Sequence, residues 1–263
     1  MPIGNHMDNS QDRDDFQDVP SYVGAMARHF PRGYVKHQHV HKRAQLIYAI
    51  SGVMEVSTID RHWLVPPQRA LWMPPQVAHE MRSRTDVELR TLFVRVPDVG
   101  QPLPEAPELV YVTPLLRELI LRAVDLPTEH EASGAAAQVL SLIFSEMTFV
   151  PPTQFYMSRV SDPRLIHVED ALRRDAGSQE SIEHWASLAS MSVRTFARRI
   201  KAETGLSFTE WRQQIRLTEA VVRLVRGEPV TTVALSLGYE NAGSFSRMFK
   251  RVMGNIPSEL NAT

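Results

Sequence analysis

The chain predicts a two-domain α+β architecture: an N-terminal β-barrel with a helical pair, then an all-α C-terminal region. Three observations carry that expectation. Residues 34–96 break into short apolar runs separated by turn residues, which suggests a sandwich or barrel. Two stretches between residues 113 and 149 repeat apolar residues at helical spacing. After "VPPTQFYMSRVSDP" (150–163) the remaining hundred or so residues are patterned for helix, with Gly or Pro only at junctions.

The frame for these elements is a chain of 263 residues, enough for one large or two ordinary domains. It is 43% hydrophobic and 22% charged, as globular proteins are. No apolar run is long enough to span a bilayer, so no membrane partner is expected. With no cysteine, disulfides and thiolate metal sites are excluded. A cytoplasmic location is expected, since no secretory pattern opens the chain. The net charge of −1 hides an asymmetry: from Asp162 onward 14 Lys+Arg stand against 12 Asp+Glu.

Taken in order, residues 1–20 carry Asp8, Asp12, Asp14, Asp15 and Asp18 without apolar period and read as a disordered acidic tail. Residues 21–110 hold the strands "LIYAI", "VMEVSTI", "HWLV", "RALWM" and "LRTLFVRV", and leave through the Pro-rich "VPDVGQPLPEAPEL". Residues 111–150 hold two helices. The first has a Thr113 cap, Pro114 in its first turn, and Leu116, Leu119, Ile120 and Ala123 on one face. The second places Ala135, Val139, Leu142 and Ile143 on a face wide enough for two partners, so a homodimer contact is expected there. Residues 151–162 read as a linker, and 163–260 as the helical domain.

Within that domain, "SIEHWASLASMSVRTFARRIKAETG" (181–205) divides at Ser190–Ser192 into two helices. The second buries Phe196 and Ile200 and gathers Arg194, Ala197, Arg198 and Lys201 on another face. The geometry is that of a helix-turn-helix, whose second helix enters a major groove; the plain alternative is the solvated face of a bundle helix. "VTTVALSLGYENAGSFSRMFKRVMG" (230–254) repeats the plan, with Phe245 and Phe249 inside and Ser244, Arg247 and Lys250 outside. The amphipathic stretch 207–227 lies between. About 17 helical residues span roughly 26 Å, enough to set the two second helices about one DNA turn (~34 Å) apart.

These residues resemble the AraC/XylS-type DNA-binding domain. The string G-Y-x-N-x-x-x-F-x-R-x-F-K-x-x-x-G-x-x-P runs from Gly238 to Pro257. The resemblance implies a double-stranded DNA operator. It implies contacts from Arg194, Thr195, Ala197, Arg198 and Lys201 in the first unit, and from Asn241, Ala242, Gly243, Ser244, Arg247 and Lys250 in the second. The chain departs from the pattern at Ser190, where the family usually has Gly, and at the close, where Leu260 and Asn261 replace an aromatic–Arg pair.

"HQHVHKRAQLIYAISG" (37–52) sets His37, His39, His41 and Gln45 on one face, if the strand is unbroken. They form either a metal site or the polar lining of a pocket. The region resembles a cupin. Its first motif, G-x5-H-x-H-x3,4-E-x6-G, is met by Gly33, His39, His41, Gln45 in place of Glu, and Gly52. Its second, P-x-G-x2-H, is met by Pro74 and His79, with Gln76 for Gly. The resemblance implies His39, His41, Gln45 and His79 as ligands of a divalent transition metal (Zn, Ni, Fe, Mn or Cu). His37, Ile47 and Trp72 are expected to touch a small-molecule effector. His62, His130, His167 and His184 fit no cluster and are expected at the surface or an interface. The stretch 41–80 is similar to nitroimidazole-resistance regulators. The expected function is a ligand- or metal-responsive transcription regulator, not an enzyme. The alternative is a cupin oxygenase or isomerase fused to a DNA module; Gln45, which cannot take a proton, weighs against it.

Overall fold

The computed structural model describes residues 16–127, 134–149, 156–254 and 256–260. The chain divides into two compact units: Met1–Met54 with Pro67–Pro152, and Glu55–Pro66 with Thr153–Thr263. In chain order the strands are β1 (Val23–Phe30), β2 (Val35–His39), β3 (Ala44–Ser51), β4 (Met54–Ser57), β5 (Arg61–Val65) and β6 (Arg69–Met73). They continue with β7 (His79–Ser83), β8 (Val87–Val94), β9 (Glu108–Tyr111), β10 (Thr148–Phe149) and β11 (Tyr156–Ser158). They form two separate sheets, in the orders β1-β8-β3-β6-β9-β10 and β11-β5-β4-β7-β2. The closed barrel expected from the sequence is therefore a pair of open sheets.

In the first unit β3 is central and buried on both faces, which is why "LIYAI" reads as an unbroken apolar run. Its Ala44, Leu46 and Tyr48 join Trp72 and Leu92 in a core with two helices, α1 (Pro114–Val124) and α2 (Ala135–Glu146). By alternation, Gln45 and Ile47 take the opposite face. Helix α1 starts where expected: the Thr113 hydroxyl accepts from Leu116 N at 3.0 Å. Helix α2 buries Leu140, Ile143 and Phe144, each contributing about 1.5–3 kcal/mol. Leu142, expected on a face wide enough for two partners, stands 48% exposed.

Two sequence boundaries need correction. The tail expected to be disordered through residue 20 is ordered from Phe16; residues 1–15 lie outside the described residues. Phe16 and Gln17 are buried, and Phe16 stacks on Phe93 at 6.1 Å. Arg43 secures the segment by donating to the carbonyls of Val19 and Ser21. The expected linker 151–162 contains β11, paired with β5 as Tyr156↔Trp63 and Met157↔His62, and Met157 and Val160 are buried.

The helices of the second unit are α3 (Pro163–Arg174), α4 (Ile182–Leu188), α5 (Val193–Thr204), α6 (Phe208–Val225), α7 (Val230–Ser236) and α8 (Ala242–Met253). Trp185, Phe196, Ile200, Trp211 and Ile215 form one core. Val233, Phe245 and Phe249 are fully buried in the later helices. Helix α6 opens with a capping box between Ser207 and Glu210. Its 18 residues span about 27 Å. No helix among the described residues is long and apolar enough to cross a membrane.

Candidate functional site

The first unit holds a cavity of about 420 Å³, part of it open to solvent. A break in β2 decides which histidines reach it. The pairing of β2 with β7 runs Val35↔Arg82 and Lys36↔Met81, then shifts register before His39↔His79. Lys36 and His39, three residues apart, both line the cavity because the bulge changes the side-chain parity. His37 is thereby turned to solvent, correcting its expected place in the pocket. Its carbonyl accepts from His39 Nδ1 at 2.7 Å.

His39, His41 and His79 converge, with one ligand nitrogen from each within 4.8 Å of the others. His41 and His79 are 5% and 1% exposed. Nδ1 of His79 donates to the Val77 carbonyl at 2.9 Å, as His39 does to His37. Donation at Nδ1 leaves the lone pair of each ring on Nε2, the arrangement metal-ligating histidines use. A tetrahedral ion with bonds of about 2.1 Å separates its ligand nitrogens by roughly 3.4 Å, so the rings need close by at most about 1.4 Å.

Gln45 is 3% exposed. Its Nε2 donates to Thr91 Oγ1 at 3.0 Å, and that hydroxyl donates onward to the Leu46 carbonyl. The amide orientation is therefore fixed. Gln45 lines the cavity, and its Oε1 is buried with no hydrogen-bond partner among the described residues. Such an acceptor costs about 1–3 kcal/mol unless a donor or cation meets it. Together with the two oriented imidazoles, this donor set fits a divalent transition metal.

Gln17 works the other way at His41. Its Oε1 accepts from Arg43 N–H at 3.1 Å, so the group 3.2 Å from His41 Nδ1 is the amide NH₂, a donor. Nδ1 must then accept, and the neutral ring carries its proton on Nε2. Nothing in the sequence signalled Gln17, which sits in the segment read as a tail.

Arg28 and Lys36 also line the cavity and were missed; Arg28 follows Met26 and precedes Phe30 on one face of β1. Two expected pocket residues do not line it. Trp72 is fully buried in the core on the other face of the sheet and donates from Nε1 to the Pro104 carbonyl. Ile47 is fully buried on the Gln45 face but outside the cavity lining. Among the remaining histidines, His62 is engaged within the second unit: Arg173 donates to its Nε2 at 3.3 Å and Nδ1 faces Glu55 at 3.4 Å. His130 lies outside the described residues.

In the second unit, α4–α5 and α7–α8 are two helix pairs with short turns. Arg194, Arg198 and Lys201 are exposed on α5 with Ala197 half-buried among them; Arg199 is exposed too and was not anticipated. On α8, Arg247, Lys250 and Arg251 are exposed, and the helix contains no acidic residue. Other expected contacts serve as caps. Ser192 Oγ donates to Thr195 Oγ1. Lys201 donates to the Gly205 carbonyl, closing α5. Asn241 Oδ1 accepts from Ser244 N at 2.8 Å, and Ser244 Oγ donates back to Asn241 O. Ala242 and Gly243 form the first turn of α8, with Gly243 exposed.

An AraC-like ligand binding domain model matches residues 24–147, and a helix-turn-helix domain model matches residues 185–263. The HTH-type transcriptional regulator NimR of Escherichia coli K12 is 33% identical over 224 residues, covering 85% of this chain and 81% of that one. The chain belongs to the AraC family of transcriptional regulators. The uncharacterized HTH-type regulator YobQ of Bacillus subtilis is 25% identical, covering 84% of this chain and 87% of its own. The arabinose operon regulatory protein of E. coli is 22% identical over 89% of this chain and 70% of its own. Among solved structures, ToxT from Vibrio cholerae aligns over 91% of this chain and 97% of its own at 11% identity, with a TM-score of 0.37. In this AraC-family chain the histidine cavity falls inside the ligand-binding domain and both arginine-bearing helices inside the DNA-binding domain.

Proposed function

We propose that this regulator reads an operator with two helix-turn-helix units per chain and responds to a small effector held in the histidine cavity. The observation that carries the first part is the repetition. Two helix pairs each end in a second helix with exposed arginines, and an 18-residue helix of about 27 Å joins them. Arg198 and Arg247 are the base-reading candidates, since a guanidinium can grip guanine O6 and N7 together. Lys250 is a phosphate contact. Arg198→Ala is expected to cost about 1–3 kcal/mol and relax preference at one base pair. Lys250→Ala is expected to weaken all sequences alike and flatten the salt dependence. Unchanged operator affinity in an Arg194→Ala, Arg198→Ala double variant would refute the assignment of the reading face.

The cavity is proposed to hold a divalent transition metal on His39, His41, His79 and the Gln45 oxygen, where the ion would supply a Lewis-acid anchor for the effector. The oriented Nε2 lone pairs and the buried Gln45 Oε1 support this reading. Elemental analysis of tag-free protein should find about one metal per chain, absent in His41→Ala. Metal-free protein with an unaltered effector response in His41→Ala would leave the histidines as pocket lining. A homodimer through the α1–α2 pair is supported by Leu115 and Leu142, 52% and 48% exposed.

A further inference from the structure

The second unit has a cavity of its own, about 430 Å³ including the part open to solvent. Sites for small molecules begin at about 300 Å³. Strands β4, β5 and β11 and helices α6 and α8 supply its walls. Much of the wall is apolar and buried: Trp63, Met157, Leu217, Val221 and Met253. An indole face and two thioethers favour an aromatic guest. Gln214, Leu217, Thr218 and Val221 form one stripe of α6, at i, i+3, i+4 and i+7.

The polar side chains on the wall are Glu55, His62, Gln214 and Thr218, and together they offer acceptors. Arg173 donates to His62 Nε2 at 3.3 Å, so the neutral ring carries its proton on Nδ1. That N–H faces Glu55 Oε1 at 3.4 Å, which gives the carboxylate a partner already. The Thr218 hydroxyl donates within its own helix, to the Gln214 carbonyl at 3.1 Å, and keeps only its lone pairs for a guest. Gln214 Oε1 is buried with no hydrogen-bond partner among the described residues. A buried acceptor of this kind is destabilising until a donor meets it. The acceptor left over is uncharged, and it matches a neutral donor. We infer that this cavity is a second small-molecule site, taking a neutral aromatic compound whose N–H or O–H donates to Gln214. The guest would pack on α6, which joins the two helix pairs, and on Met253 at the end of α8. Operator affinity should therefore respond to it.

The test uses the full chain and three probes: indole, its isostere benzofuran, which lacks the N–H, and the cation tryptamine. Binding is followed by isothermal titration, and far-ultraviolet melting checks that each variant is folded. Indole is expected to bind one site per chain at least fivefold more tightly than benzofuran or tryptamine. Gln214→Met keeps the side-chain length and removes the acceptor; it should melt no lower than the parent and bring indole and benzofuran within about twofold of each other. His41→Ala should leave indole binding unchanged, which separates this site from the histidine cavity. Saturating indole should shift the operator Kd at least threefold by fluorescence anisotropy. Equal binding of indole and benzofuran, or an indole preference that survives in Gln214→Met, would overturn the donor assignment. Tighter binding of tryptamine would overturn the neutral guest in favour of a cation at Glu55. No indole binding, or its loss in His41→Ala, would overturn the site itself, and an unchanged operator Kd would overturn its regulatory role.

Discussion

Gly238 closes the turn between α7 and α8, and replacing it by alanine should unseat α8. Its φ is +80°, in the left-handed region. A Cβ there would overlap the Gln179 amide nitrogen and lie 2.9 Å from the Gly177 carbonyl oxygen. That amide donates to the Gly177 and Gly238 carbonyls, at 3.2 Å each. The left-handed conformation costs a residue with a Cβ about 1–2 kcal/mol. Displacing Gln179 loses one or two hydrogen bonds at about 1 kcal/mol each. Reduced freedom of the unfolded chain returns about 0.4–1 kcal/mol. The net is about 2–3 kcal/mol, or roughly 8–12 °C for a unit of this size. The assay is thermal unfolding of the full chain followed by helical circular dichroism. Ser190, in the corresponding turn of the first pair, already holds φ +53° with a side chain, and it is exposed. Ser190→Gly is therefore expected to change stability by less than about 1 kcal/mol. A Gly238→Ala melting point within 3 °C of the parent would refute the reasoning.

Gln17→Glu should raise metal affinity, because a carboxylate can accept from His41 Nδ1–H and so free Nε2 for the ion; competition titration with a chromogenic chelator measures it, and weaker binding would count against the tautomer assignment. Leu142→Asp is expected to lower the sedimentation coefficient of the full chain at tens of micromolar, and an unchanged value would place the dimer contact elsewhere. The Asp162 carboxylate is held down from 3.8 to about 2 by hydrogen bonds from the Arg164 side chain and backbone. Its contribution to stability is complete above the ordinary carboxylate value and is lost as pH falls through about 2. Carboxyl carbon chemical shifts should place its midpoint near 2, moving up toward 3.8 in Arg164→Ala.

Much of this was legible in the sequence because pattern and environment agreed. "RALWM" is β6 as read, and the Thr113–Pro114 start of α1 follows from local chemistry alone. The three clustered histidines follow from cupin motif spacing. His37 was misplaced because a bulge is invisible to alternation: one register shift turned His37 out and Lys36 in. Trp72 was misplaced because β6 is buried throughout, so parity could not say which face looks into the cavity. Gln17 and β11 were missed because their order depends on distant partners, Arg43 and β5, that no local pattern announces. The departures from family glycines have a physical counterpart. Gln76 and Ser190, both noted as replacing glycine, are the two non-glycine residues with positive φ among the described residues. Each carries strain of about 1 kcal/mol or more, which the surrounding turn must hold.

The central claim is that one chain reads two successive major grooves. Guanine N7 methylation protection tests it most directly, on an operator selected by the full chain from random duplexes. The expected pattern is two protected clusters about 10 base pairs apart per chain. Arg198→Ala should erase one cluster and Arg247→Ala the other. A single cluster, or loss of the same cluster in both variants, would contradict the account.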